Sequence, residues 1–125
     1  MDVENQVDYW RSGSKEDVAA AEALMERGYL RHALFFAHLA IEKVLKAHVT
    51  RKTGDVPPRI HNLVRLAEMA GLALDSERVT ILRDFAGYHL AGRYPDISEA
   101  PLDSGTAQED LKLAKEMVGW LMAKL

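Results

Sequence analysis

The densest chemical content of the 125-residue chain lies in Arg83-Asp84-Phe85-Ala86-Gly87-Tyr88-His89, followed by Arg93-Tyr94-Pro95-Asp96. A permanently charged guanidinium, a carboxylate next to it, an imidazole that titrates near neutrality and nearby phenols form a set suited to phosphodiester chemistry without a metal ion. In that chemistry His89 moves the proton, Arg83 stabilises transition-state charge and Asp84 orients Arg83; the competing reading is that Arg83 and Asp84 make surface or interface salt bridges and His89 caps a helix end. Arg93 and Tyr94 are candidates to cover a phosphate cleft, with Tyr88 as a further phenol. The competing reading of Tyr94 is a plug that pins its loop to the core. On a straight helix the six steps from Arg83 to His89 turn about 600°, leaving the two side chains roughly 120° apart. The geometry therefore predicts that they meet only through a deformation near Gly87 or by pooling motifs across two subunits.

A second polar group stands at His38, Glu42 and Lys46, at i, i+4 and i+8 on an otherwise apolar stretch. One reading is a helix-surface Glu-to-Lys pair worth about 0.2–0.5 kcal/mol with a histidine in reach. The other is a polar cleft against a ligand or a partner subunit, which makes Lys46 a candidate binding residue. His61, which follows Pro57-Pro58, is expected to cap a helix. Many other chemistries lack their anchors. There is no cysteine, so zinc-thiolate, iron–sulfur, disulfide and thiol-nucleophile sites are out. P-loop, dinucleotide, zincin and hydrolase-elbow motifs are missing, and no Glu-x-x-His exists for a di-iron bundle. No metal and no cofactor are expected.

The elements that must position these residues read as helices. The expected spans are Val7 to Arg27, Tyr29 to Thr50, Arg59 to Ala70, Asp75 or Ser76 to about Gly87, and a last helix opened by the capping box Thr106-x-x-Glu109. In that last helix Ala107, Leu111, Ala114, Val118, Leu121 and Leu125 recur at steps of 4, 3, 4, 3 and 4. Gly13 and Ser14 weaken the early turns of the first helix. The second is apolar nearly all round, so it should be central, with part of it facing a second subunit. Residues 91–105 form the one long loop, expected to be ordered beside Arg83. The fold class is an all-α antiparallel up-and-down bundle of about five helices in a single domain, residues 1–125.

Apolar residues at 48% and charged ones at 28% describe a globular chain, and no apolar run is long enough for a membrane span. The acidic start MDVENQVDYW is unlike a signal peptide, so the expected location is cytoplasmic. Net charge is -3, yet Tyr29 to Leu66 carries seven basic residues against two acidic ones, between flanks that are each net acidic. Such a segment is either a phosphate-facing surface or a solvated face.

Trp10, Asp17-Val18, Gly28-Tyr29, Ala33-Leu34-Phe35-Phe36-Ala37, Glu42-Lys43-x-x-Lys46, Pro57-Pro58 with His61-Asn62-Leu63, and Arg93-Tyr94-Pro95-Asp96 together resemble the HEPN family (higher eukaryotes and prokaryotes nucleotide-binding domain). The resemblance spans nearly the whole chain and implies a helical bundle that dimerises, often paired with a minimal nucleotidyltransferase as a toxin–antitoxin system. It also implies RNA or a nucleotide as ligand and, in many members, metal-independent ribonuclease activity through an Arg, a polar residue and a downstream His, a pattern matched by Arg83-Asp84-x-x-x-x-His89. The 2′-hydroxyl would then attack and leave a 2′,3′-cyclic phosphate. The toxin branch often has Tyr two places after the His, where this chain has Ala91, and the Arg-Tyr-Pro loop is similar to small stand-alone members. The alternative function is a non-catalytic module that binds nucleotide, RNA or protein.

Overall fold

Polar caps and left-handed glycines set where each helix starts and stops. The computed structural model describes residues 1–93 and 102–125, with side chains for all of these except residues 90–93. Among the described residues there are five α-helices and no strand: α1 Val3–Glu26, α2 Leu30–Thr53, α3 Leu63–Met69, α4 Ser76–Arg93 and α5 Ser104–Ala123. The Asp2 side chain accepts from the Asn5 amide and starts α1 four residues before the expected Val7. At the end of α2, Gly54 takes φ +71° and returns its N–H to the Thr50 carbonyl at 2.8 Å.

Three further boundaries differ from expectation for identifiable reasons. The third helix starts at Leu63, not Arg59, because the Asn62 carboxamide accepts from the Arg65 amide at 3.0 Å. That gives the cap to Asn62 rather than His61. The fourth helix runs through Gly87 to Arg93: a glycine ends a helix by turning left-handed, and only Gly28, Gly54 and Gly71 have positive φ among the described residues. The fifth is capped three residues early because the Asp103 carboxylate accepts from both the amide and the hydroxyl of Thr106, each at 3.1 Å. Thr106 is thus a donor to the cap and not the cap of a Thr-x-x-Glu box. The expected loop at 91–105 correspondingly loses residues to both helices, and its remainder, 94–101, lies outside the described residues.

The bundle is antiparallel and up-and-down around α2, which packs against all four other helices. Ser14 donates to the Ala40 carbonyl at 2.6 Å, and a Cβ at Gly13 would come within 3.1 Å of the Lys43 stem. The two residues that looked like flaws in α1 are therefore its points of close approach to α2. Leu34, Ile41, Leu45, Leu63, Leu66, Leu82, Phe85 and Leu121 fill one core cluster. Fourteen residues of α2 are buried within the chain's own bundle, so its apolar surface does not by itself call for a second subunit. No helix of the described residues is long and apolar enough to cross a membrane.

Candidate functional site

A cleft of about 570 Å³ opens between α2, the start of α3 and α4. Its walls include His38 from α2, His61, Asn62, Arg65 and Glu68 from the α3 region, and Leu82, Arg83, Ala86 and His89 from α4. Arg83, Ala86 and His89 advance by three residues at a time, each step shifting the side chain about 60° around the axis. The arc that separated Arg83 from His89 on paper is thus spanned by one concave wall with the small Ala86 between them. One chain brings both residues to one cleft, with neither a break at Gly87 nor a second subunit.

The floor is a cluster of imidazoles around a buried carboxylate. His89 stacks on His61 with ring centroids 4.5 Å apart and planes 25° apart, and also lies 4.9 Å from His38 and 5.6 Å from Phe35. Glu42, only 5% exposed, uses both oxygens: Oε1 accepts from His61 Nδ1 at 3.0 Å and Oε2 from Lys46 Nζ at 3.1 Å. Because a carboxylate only accepts, the hydrogen on His61 sits on Nδ1. Lys46 is 6% exposed, and its ammonium is 5.5 Å from the centroid of the Trp10 ring. The i, i+4 pairing of Glu42 with Lys46 is therefore real, but it is buried behind the cleft rather than on a solvated helix face.

His38 is completely buried. Burial lowers its pKa from the ordinary 6.5 to about 4, a shift that the Glu42 carboxylate opposes and the neighbouring His89 reinforces. Its Nδ1 lies 3.8 Å from Glu42 Oε1, and neither ring nitrogen has a partner within hydrogen-bonding geometry. His38 is thus a neutral wall at physiological pH. The imidazoles meet through their faces, and no three His, Asp or Glu side chains among the described residues are placed to hold a metal ion.

Several sequence-derived candidates stand elsewhere. Tyr88 points to the opposite side of α4, where its hydroxyl donates a short hydrogen bond to Asp110 on α5 and its ring packs edge-on against Phe85. Burial, reinforced by Asp110, pushes its phenol pKa up. Asp84 is exposed and does not line the cleft. Lys46 sits behind Glu42 and away from the cleft wall, because the carboxylate and Trp10 hold it there. Arg93 belongs to α4 by its backbone, but its side chain and all of Tyr94 lie outside the described residues. His61 was missed as a site residue. Its signal was the Pro57-Pro58 pair, which keeps the preceding chain out of a helix and leaves the ring free to fold back on α2.

Three of the seven basic residues in the middle segment pair with its acidic flanks. Lys43 meets Asp17 at 2.8 Å, Arg51 meets Glu4 at 2.8 Å and Arg65 meets Glu68 at 3.5 Å, in addition to the buried Lys46–Glu42 pair. Lys43 and Arg51 thereby join α2 to α1, while Lys46 and Arg65 pair within their own helices.

The family model of the HEPN domain matches residues 7–125. The chain belongs to the HEPN domain family. A crystal structure of TT1696 from Thermus thermophilus has a TM-score of 0.81 at 24% identity, over 97% of this chain and 99% of that one. An archaeal HEPN homologue, ST0689, has a TM-score of 0.65 at 21% identity, over 94% of this chain and 96% of the other. At these identities the likeness is one of fold. No curated protein matches the chain.

Proposed function

We propose that this HEPN protein binds RNA in the α2–α3–α4 cleft and cleaves it without a metal ion, with Arg83 as the electrostatic group and His89 as a proton-transfer group. The supporting observation is that Arg83 and His89 of a single chain line the same cleft. Arg83 is exposed at the α4 wall, where it can meet a phosphate, and His89 is held by ring contacts that fix its orientation. Attack by the 2′-hydroxyl on its own phosphodiester, with Arg83 stabilising the pentavalent transition state, gives a 2′,3′-cyclic phosphate. The test is incubation of mixed RNA with the purified protein in EDTA beside Arg83→Ala and His89→Ala. Cleavage by the unmodified protein and a loss of at least about a hundredfold in each variant is the expected result. Full activity in His89→Ala, or dependence on added metal, refutes the reading.

A second reading is a binding module without chemistry, favoured by the packing of His89 among Phe35, His38 and His61. It predicts RNA or nucleotide retention with no new RNA ends. Homodimerisation and a minimal nucleotidyltransferase partner also remain part of the proposal. They rest on the family resemblance alone, now that α2 is covered by its own bundle. Light scattering at micromolar concentration should give twice the chain mass, and a monomer would remove the dimer from the scheme.

A further inference from the structure

We infer that His61, oriented by Glu42, is the second proton-transfer residue of the cleft and acts as the general base beside His89. The inference rests on the ribonuclease reading above and assigns the half of its proton traffic that one imidazole cannot carry at once. Cleavage needs a proton removed from the 2′-hydroxyl and another delivered to the departing 5′-oxygen.

The geometry supplies a division of labour. His61 Nδ1 donates to Glu42 Oε1 at 3.0 Å, which fixes the tautomer and leaves the Nε2 lone pair on the ring edge away from Glu42. Half of the His61 side chain is exposed, at 48%, and the ring lines the cleft. Glu42 is itself positioned: Lys46 balances its charge on the other oxygen, and burial on α2 removes competing water. This is the orienting carboxylate and imidazole of nucleophile-activating triads, with the RNA 2′-hydroxyl in place of a serine. The stacking of His61 on His89, with ring centroids 4.5 Å apart, holds the two imidazoles side by side in the same cleft.

In the step itself, His61 Nε2 takes the 2′-hydroxyl proton as the 2′-oxygen bonds to phosphorus. The bond from phosphorus to the 5′-oxygen breaks, and the imidazolium of His89 gives its proton to that oxygen. Products are a 2′,3′-cyclic phosphate and a 5′-hydroxyl. A proton then passes from His61 to His89 through water, since ring nitrogens donate and accept in the ring plane and these rings meet by their faces, and the starting state is restored. The charged or titratable groups around His61 are Glu42 and His38 from α2, with Lys46 behind Glu42. Arg65 and Glu68 face it from α3, and Arg83 and His89 from α4.

The test compares His61→Asn and Glu42→Gln with the unmodified protein, measuring kcat and KM for an RNA oligonucleotide in EDTA from pH 5 to 9. His61→Asn keeps an N–H donor near the Nδ1 position, so the Glu42 contact and the fold are preserved while the base is lost. Its kcat should fall at least about a hundredfold with KM within about threefold, and the rising limb of the pH profile should disappear. In Glu42→Gln the rising limb should shift and kcat should fall at least about tenfold. A purely structural Glu42 would lower the melting temperature and leave that limb in place. Added imidazole should partly restore His61→Ala. Undiminished kcat with an unchanged profile in His61→Asn overturns this inference and leaves the ribonuclease reading intact. Failure of the unmodified protein to cut RNA overturns both.

Discussion

His38 carries the strongest consequence of burial at the residue scale. A histidine whose folded pKa is about 4 against 6.5 in the unfolded chain stays neutral in the folded protein while the unfolded chain takes up a proton. Stability is therefore fully present above about pH 6.5 and lost as pH falls toward 4, by on the order of 3 kcal/mol in total from this residue. His48, whose pKa burial also lowers while its Nε2 donates to the Leu121 carbonyl at 2.8 Å, acts in the same direction. Urea denaturation between pH 4 and 7 should show that loss, and His38→Gln should flatten it. A slope unchanged by His38→Gln would show that the ring titrates normally.

The contact between α1 and α2 is the test case for elements. Removing the buried Ser14 hydroxyl with Ser14→Ala gives up one hydrogen bond to the Ala40 carbonyl, and the denaturation midpoint should drop by the equivalent of about 1 kcal/mol with the m-value unchanged. At the other end of α2, Gly54→Ala should cost about 1 kcal/mol through its left-handed backbone alone, because no atom lies within 4 Å of the added Cβ. An effect below a few tenths in either variant would contradict the role given to that residue. Both cases show where sequence reading succeeds and where it stops. The α5 seam of Ala107, Leu111, Ala114, Val118 and Leu121 is buried as its spacing implied, because a period along one helix is local information, while Leu125, the last residue of that series, lies past the end of α5 and is only half-buried. Gly13 and Ser14 read as flaws because helix propensity describes a single rod and is blind to the neighbour that needs the close approach. The cleft was partly legible: Arg83 and His89 stood out by type and His38 with Glu42 by their i, i+4 spacing, whereas His61 joins them through the packing of α2 against the chain after Pro58, which no local pattern encodes.

The distribution of charge over the whole molecule decides how RNA is held. With Lys43, Lys46 and Arg51 committed to internal partners, the exposed cations at the cleft among the described residues are Arg83 and Arg65, the latter in a solvent-exposed pair with Glu68 that a phosphate would have to displace. About two phosphate contacts to a single strand imply that affinity falls roughly sevenfold between 50 and 200 mM salt. Fluorescence anisotropy with the His89→Ala variant reads that slope directly, and a loss of a hundredfold or more would point to an extended basic track elsewhere. The most direct measurement of the central claim uses a DNA oligonucleotide with a single ribonucleotide, incubated with the protein in EDTA. The predicted result is one cut, 3′ of the ribonucleotide, that leaves a 2′,3′-cyclic phosphate and is absent both from the all-DNA control and from Arg83→Ala. An intact oligonucleotide, or equal cutting by Arg83→Ala, would contradict the account.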